Sequence, residues 1–217
     1  MRGDKVVIES HHRRAAETLA ELLLPRTAAA TRRLVISIGG ESGSGKSELA
    51  RALADAFDRR GFRSVVLQQD DYFVYPPKTN ALKRREETGW VGPGEVRLDR
   101  LDEDLNALRS GIDSIRKPLV FYDEDRIGQE TLDASGARVA IVEGTYVTLL
   151  ANVDARVFIE RTFRETRDAR ILRAREAQDA FLEHVLQIEH EIIAPHRRLA
   201  DVAIGADFSV KELVRES

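Results

Sequence analysis

LVISIGGESGSGKSELARALADAF, residues 34–57, is the stretch whose reading decides the fold. Leu34–Ile38 is a continuous apolar, largely β-branched run, the pattern of a strand buried on both faces. From about Lys46 to Arg59 the pattern is an amphipathic helix. Between them, Gly40-Glu41-Ser42-Gly43-Ser44-Gly45-Lys46-Ser47 fits G-x-x-x-x-G-K-[ST] at every fixed position. Glycines let such a loop curl so that successive N–H groups point inward at phosphate oxygens, and the following helix adds its positive end. Lys46 would then reach the β- and γ-phosphates and Ser47 would ligate Mg²⁺. The candidate nucleotide-binding run is therefore Gly40 to Ser47, extended to position 48, a glutamate in the first helical turn. The motif specifies a nucleotide and leaves the reaction open.

Outside this stretch the composition is that of one globular α/β unit: 217 residues, 42% hydrophobic and 33% charged. A net charge of −3 argues against a general nucleic-acid binder. The absence of cysteine removes disulfides, thiolate metal sites and cysteine nucleophiles. The N-terminal MRGDKVVIES puts charges where a signal peptide needs an apolar core, and no apolar run approaches the ~20 residues of a membrane helix. The expectation is a cytoplasmic enzyme with a small-molecule substrate and no nucleic-acid or membrane partner. A homo-oligomer is left open.

Residues 5–8 read as a short strand and 11–24 as a helix ended by Pro25. These form an N-terminal strand-helix extension, 1–33, packed on a core domain of 34–217. Arg63–Leu67 is the next strand and delivers QQDDYF. Residues 74–97, rich in proline and glycine, read as a long loop or irregular insertion. Leu98–Leu108 is helical, and Leu119–Tyr122 with Gln129–Leu132 could pair as a hairpin. Ala137–Val142, Arg156–Ile159 and residues 201–204 supply further strands, and a charged helical region covers about 163–193. Strands alternating with helices argue for a parallel sheet.

Ligands of such sheets bind at the C-terminal ends of the strands. Asp70 and Asp71 end one strand there: one of them accepts the proton of an attacking hydroxyl, or both merely turn the loop. Glu143 ends another, either holding a Mg²⁺-bound water or standing as an ordinary strand-end carboxylate. Arg161, Arg164, Arg167, Arg170, Arg173 and Arg175 recur at a spacing that drifts around a helix. Arg170 and Arg173 are neighbours that could close over phosphates, against a reading as solvated charge balanced by nearby acids.

Taken in order, GESGSGKS, QQDDYF, IVEG, RDARILRAR and ADVAI resemble the uridine kinase and phosphoribulokinase group, which includes nicotinamide riboside kinases. The resemblance implies a P-loop NTPase fold with a five-stranded parallel sheet flanked by helices, a small β-hairpin and a helical lid. It implies ATP and Mg²⁺ as cofactors and transfer of a phosphoryl group to a hydroxyl of a small polyhydroxylated metabolite. Asp70 matches the catalytic aspartate and, with Ser47 and Glu143, the metal-organising set. Lys46, Arg170 and Arg173 match groups that act on the phosphates, and Arg175 a further nucleotide contact. Asp71, Tyr72, Trp90 and Tyr122 are candidates for the acceptor pocket.

Two departures bear on the acceptor. The region equivalent to F-D-H-P of uridine kinases reads GWVGPGEV, without the ribose-diol acid in its place, and Ile127 stands where a base-reading histidine would be. Alternative acceptors are a sugar phosphate, another nucleoside, pantothenate or glycerate, with the basic Lys78, Lys83, Arg84 and Arg85 favouring an anion or being plain surface charge. A nucleotide-dependent switch is the alternative of another class. No N-K-x-D guanine reader is present, and the D-x-x-G at Asp125–Gly128 falls in the hairpin turn.

Overall fold

The computed structural model describes residues 1–3, 6–167, 170–171 and 179–213. At its centre is β1 (Leu34–Gly40), with every residue buried, as its apolar run requires. It pairs in parallel with β5 (Val139–Gly144) on one side and β6 (Ala155–Ile159) on the other. The sheet continues outward to β2 (Ser64–Gln68) beyond β5, and to β7 (Val202–Ile204) beyond β6. These are the five parallel strands. A sixth, β8 (Val210–Glu212), runs antiparallel to β7 and ends the sheet. That short strand carries too little apolar pattern to be read from sequence.

Register sets the site. Ile38 lies opposite Glu143, and Gln68 pairs with Glu143 from the other side, so β1, β2 and β5 end level. Helix α2 (Lys46–Asp58) leaves the loop after β1 and buries Leu49, Leu53, Ala56 and Phe57 on one face of the sheet. Helix α1 (Ser10–Ala29) packs on the same face through Ala15, Leu19, Ala20 and Leu23. Each fully buried leucine there contributes about 1.5–3 kcal/mol. Helix α4 (Leu98–Arg109) covers the opposite face through Leu101, Leu105 and Leu108.

Four sequence expectations are corrected. Described residues 6–9 form no strand, and α1 runs past Pro25 to Ala29. Proline deletes the N–H that would meet the carbonyl of Glu21 and crowds that carbonyl, but both residues lie on the solvent face, where the carbonyl can turn to water. The last turn is anchored instead by buried Leu23 and Thr27, whose hydroxyl donates to the Leu23 carbonyl at 2.9 Å. The region 74–97 is no plain loop, for α3 (Pro77–Glu86) occupies its middle. Pro77 sits in the first turn, where proline is tolerated, and α3 buries only Asn80, so no apolar stripe announces it. The hairpin is longer than its apolar residues suggest: β3 (Ser114–Phe121) pairs with β4 (Arg126–Asp133), a largely exposed strand.

Within the region 163–193, α5 (Ala180–Ile193) buries Leu182, Val185, Leu186, Glu189 and Ile193. Among the described residues no helix is long and apolar enough to cross a membrane.

Candidate active site

The loop from β1 to α2 is shaped by glycine at two points. Gly45 caps α2 in the left-handed region, at φ 101°, and a Cβ there would meet the Phe208 ring at 2.9 Å. Gly43 has φ 75°, and a Cβ there would meet Arg170 Cγ at 2.9 Å. Both positions exclude other residues by conformation and by space. Inside the loop the Ser44 hydroxyl is buried without a hydrogen-bond partner. Lys46, also buried, donates from Nζ to the Glu41 carbonyl at 2.8 Å. The Glu41 side chain turns away from the loop interior, accepting the Phe163 N–H at 2.6 Å and meeting His190 Nδ1 of α5 at 2.7 Å.

Two carboxylates stand at the level strand ends. Glu143 closes β5, buried, and accepts from the Ser47 hydroxyl at 3.0 Å and from Gln68 Nε2 at 3.3 Å. Burial, followed by the nearby Asp70 charge, pushes its carboxyl up to about 7 against the opposing pull of Lys46 and those two hydrogen bonds. Asp70 lies in a 3₁₀ turn, Gln69–Tyr72, directly after β2. A turn with three residues per revolution sends successive side chains in three directions. Asp70 faces the main cleft. Asp71, at 2% exposure, faces β3, where it accepts from Lys117 Nζ at 2.7 Å and from the Val120 N–H at 3.0 Å, with the Met1 amino group at 2.9 Å. Tyr72 points into the core and donates to Asp104 Oδ2 at 2.9 Å, where burial first and Asp104 second push its phenol upward.

Of the four residues read as acceptor contacts, only Tyr122 lines this cleft. Trp90 stands behind the wall, donating from Nε1 to Asn80 Oδ1 at 2.8 Å with its ring 5.5 Å from that of Tyr75. The type of an aromatic residue does not tell which way it faces.

Arg170 packs over the phosphate loop, donating to the Phe163 carbonyl and to Thr166 Oγ1, the latter at 2.9 Å. Its Nε and Nη2 are buried without hydrogen-bond partners, 3.8 Å separating Nη2 from Glu183. Burial lowers its pKa. Arg173 and Arg175 lie outside the described residues.

The cleft runs from Gly43 and Asp70 to α3 and α5. Its far wall carries Asn80, Arg84, Tyr146 and Glu189; of these the sequence points only to Arg84, as one of four basic residues that favour an anion or are plain surface charge. Glu189 and His190 sit in an apolar helix with no motif of their own. Tyr146 had one signal, its place two residues after Glu143-Gly144.

Comparison with known proteins gives this geometry a family. A family model described as PRK: Phosphoribulokinase / Uridine kinase family matches residues 35–171. A bifunctional alpha-galactosidase/sucrose kinase of Mediterraneibacter gnavus is 36% identical over 197 residues, and the chain spans 84% of itself but 21% of that relative's length. A uridine kinase of Leuconostoc citreum is 27% identical over 183 residues, covering 79% of this chain and 86% of its own. The solved structure of a possible uridine kinase from Bacillus stearothermophilus superposes with a TM-score of 0.63 at 21% identity, over 88% of this chain and 97% of the other. With the phosphate loop, Asp70 beyond β2 and Glu143 of β5 inside the matched span, the chain belongs to the phosphoribulokinase / uridine kinase family of ATP-dependent kinases.

Proposed function

We propose that the chain transfers the γ-phosphoryl group of ATP to a hydroxyl of a small polyhydroxylated metabolite bound between Asp70 and α5. The observation that carries this is the opening of the phosphate loop, at Ser42 and Gly43, into the same cleft that Asp70 lines. The acceptor oxygen forms its bond to the γ-phosphorus as the bond to the β–γ bridging oxygen breaks, and ADP leaves. Asp70 orients the hydroxyl and takes its proton, which then passes to solvent. Lys46 exchanges the Glu41 carbonyl for phosphate oxygens, and the unpartnered N–H groups of Arg170 supply further donors to the transferring group.

Ser47, Glu143 and Asp70 form an all-oxygen donor set suited to Mg²⁺, and the raised pKa of buried Glu143 marks a carboxylate that a cation would relieve. Mg²⁺ in kinase sites is held through one or two carboxylates plus substrate phosphates, which two acids and a hydroxyl suit. Such an ion would neutralise charge on the phosphates.

The acceptor need not be a pyrimidine nucleoside. Glu95, the one acid of the GWVGPGEV segment, is fully buried against Arg84 and the Gly92 N–H, and Ile127 pairs with Val120 within the hairpin. Sucrose and uridine, for which the two curated relatives are named, share a ring that bears free hydroxyls. Asp125 in the D-x-x-G stretch accepts from Thr79 Oγ1 at 2.7 Å and from the Lys78 N–H at 2.7 Å, so it serves the hairpin turn and offers no support to a switch. Coupled-enzyme measurement of ADP release with Mg²⁺-ATP across a panel of hydroxylated metabolites tests the reading. Release that no acceptor raises above basal hydrolysis would refute it.

A further inference from the structure

The cleft wall opposite Asp70 carries polar groups that phosphate chemistry leaves unused. Tyr146, just beyond the end of β5, is 2% exposed, and its hydroxyl has no hydrogen-bond partner. A buried polar atom without a partner calls for an explanation, and an open cleft beside it points to a ligand. Burial first, and the neighbouring Glu189 second, push the phenol upward, so it stays a neutral donor. Glu189 accepts from Arg84 Nη2 at 2.9 Å. Arg84 is held from behind by Glu95, at 2.6 Å from Nε and 3.1 Å from Nη2. Asn80, one turn before Arg84 on the same face of α3, is fixed between Trp90 and Glu95. Asn80, Arg84, Tyr146 and Glu189 thus form one braced surface.

The charge of this surface decides the ligand class. Arg84 faces two carboxylates, so the set has no positive surplus. The other cations of α3 are engaged elsewhere: Lys78 with the Asp123 carbonyl, Lys83 with Glu87 and Arg85 with Asp179. A phosphate or carboxylate on the acceptor would confront Glu189 with no spare cation of α3 to offset it, since the cleft's other described arginine, Arg170, lies over the phosphate loop. A neutral hydroxyl fits, because it donates to Glu189 and accepts from Tyr146 at once. Phe73, Leu182 and Leu186 add apolar walls for ring C–H groups.

We propose that Tyr146, Glu189 and Arg84 select a neutral, unphosphorylated sugar or sugar alcohol, gripping adjacent hydroxyls while another is presented to Asp70. The proposal rests on the kinase reading above and names the acceptor class for the same cleft. A site built to hydrogen-bond hydroxyls discriminates strongly against molecules that leave its polar groups unpaired.

Calorimetric titration of the full chain, with Mg²⁺ and a non-hydrolysable ATP analogue, tests it using sucrose, fructose, sorbitol, fructose 6-phosphate and uridine. At least one neutral sugar or alditol should bind, and the phosphorylated sugar should bind about tenfold more weakly or worse, roughly the loss of one hydrogen bond. In steady state, Tyr146→Phe should raise KM for the neutral acceptor about tenfold, for the same reason, without moving KM for ATP. Glu189→Gln should narrow the gap between the neutral and phosphorylated sugars, with folding of both variants checked by thermal melts. A preference for fructose 6-phosphate or uridine, the absence of any neutral-sugar binding, or an unchanged acceptor KM in Tyr146→Phe would overturn the proposal. The kinase reading would survive those results if uridine or the phosphorylated sugar still stimulated ADP release, so the two failures are distinguishable.

Discussion

His190 Nδ1 lies 2.7 Å from Glu41 Oε1, which fastens the helix lining the cleft to the second residue of the phosphate loop. The preceding residue on that helix, Glu189, holds Arg84 on the far wall of the cleft. Adjacent residues of α5 therefore touch the phosphate loop and the far wall of the cleft. A double-mutant cycle with Glu41→Gln and His190→Gln should show coupling of about 0.5–3 kcal/mol, the range for residues in contact. Chemical denaturation of the four proteins measures it, and strictly additive effects would show that the contact carries no energy.

Asp70 and Asp71 are adjacent yet should fail differently. Asp70→Asn should lower kcat by roughly 10²–10⁴, the range for a positioned acid or base, with ATP affinity little changed. Asp71→Asn should instead lower stability by about 1–3 kcal/mol, since it weakens the buried partners of Lys117 and the Val120 N–H. Kinetics and urea titrations on the same preparations separate the two. A catalytic defect confined to Asp71→Asn would reassign the role.

Arg33 should prove a structural residue of unusual weight. Though buried, it donates to the carbonyls of Ala137 at 2.9 Å, Leu108 at 2.6 Å, Ile112 at 3.0 Å and Ala134 at 2.9 Å, and to Asp113 Oδ1 at 3.0 Å. Lysine has three donors on a flexible stem and cannot serve five acceptors in a plane. Arg33→Lys should therefore destabilise by about 2 kcal/mol or more, several acceptors losing a charged partner, while kcat at a permissive temperature holds. Stability within experimental error of the parent would count against this.

His12 should make stability pH-dependent. Burial, with His11 beside it, lowers its pKa from 6.5 to about 4, opposed by the nearby Glu48 and Glu9, with Arg161 adding to the lowering. Between those values the unfolded chain binds the extra proton, so stability is full above about pH 6.5 and falls as pH drops toward 4. His12→Gln should flatten that part of the acid limb in urea titrations at stepped pH. A limb of unchanged slope would assign the loss to other groups.

The phosphate loop, Asp70 and Glu143 were legible in the sequence because each belongs to a local pattern: a motif on a strand-to-helix turn, and acids at the ends of buried strands. That the sheet is parallel followed from the same apolar runs alternating with helices, while the order of its strands did not. Glu189, His190, Asn80 and Tyr146 were not legible, because contacts such as His190 with Glu41 join residues far apart in the chain and have no local signature. Tyr72 and Trp90 show the converse error, since side-chain type suggested a pocket and the backbone turned both away. Helix α3 was hidden by its polarity, for it owes its place to Asn80 and Arg84 bonding Glu95 more than to any apolar face.

The three-residue antiparallel strand β8 has a bearing on how the molecule behaves in a crowd. A parallel sheet ending at Val202–Ile204 would present apolar, unpaired backbone to any neighbouring chain, a template for ladder growth. Val210–Glu212 occupies those hydrogen-bonding positions and substitutes an outer rim that is short and carries exposed Lys211 and Glu212. Charged side chains and so few residues offer an incoming strand little to pair with, so this edge resists the stacking that leads to aggregates.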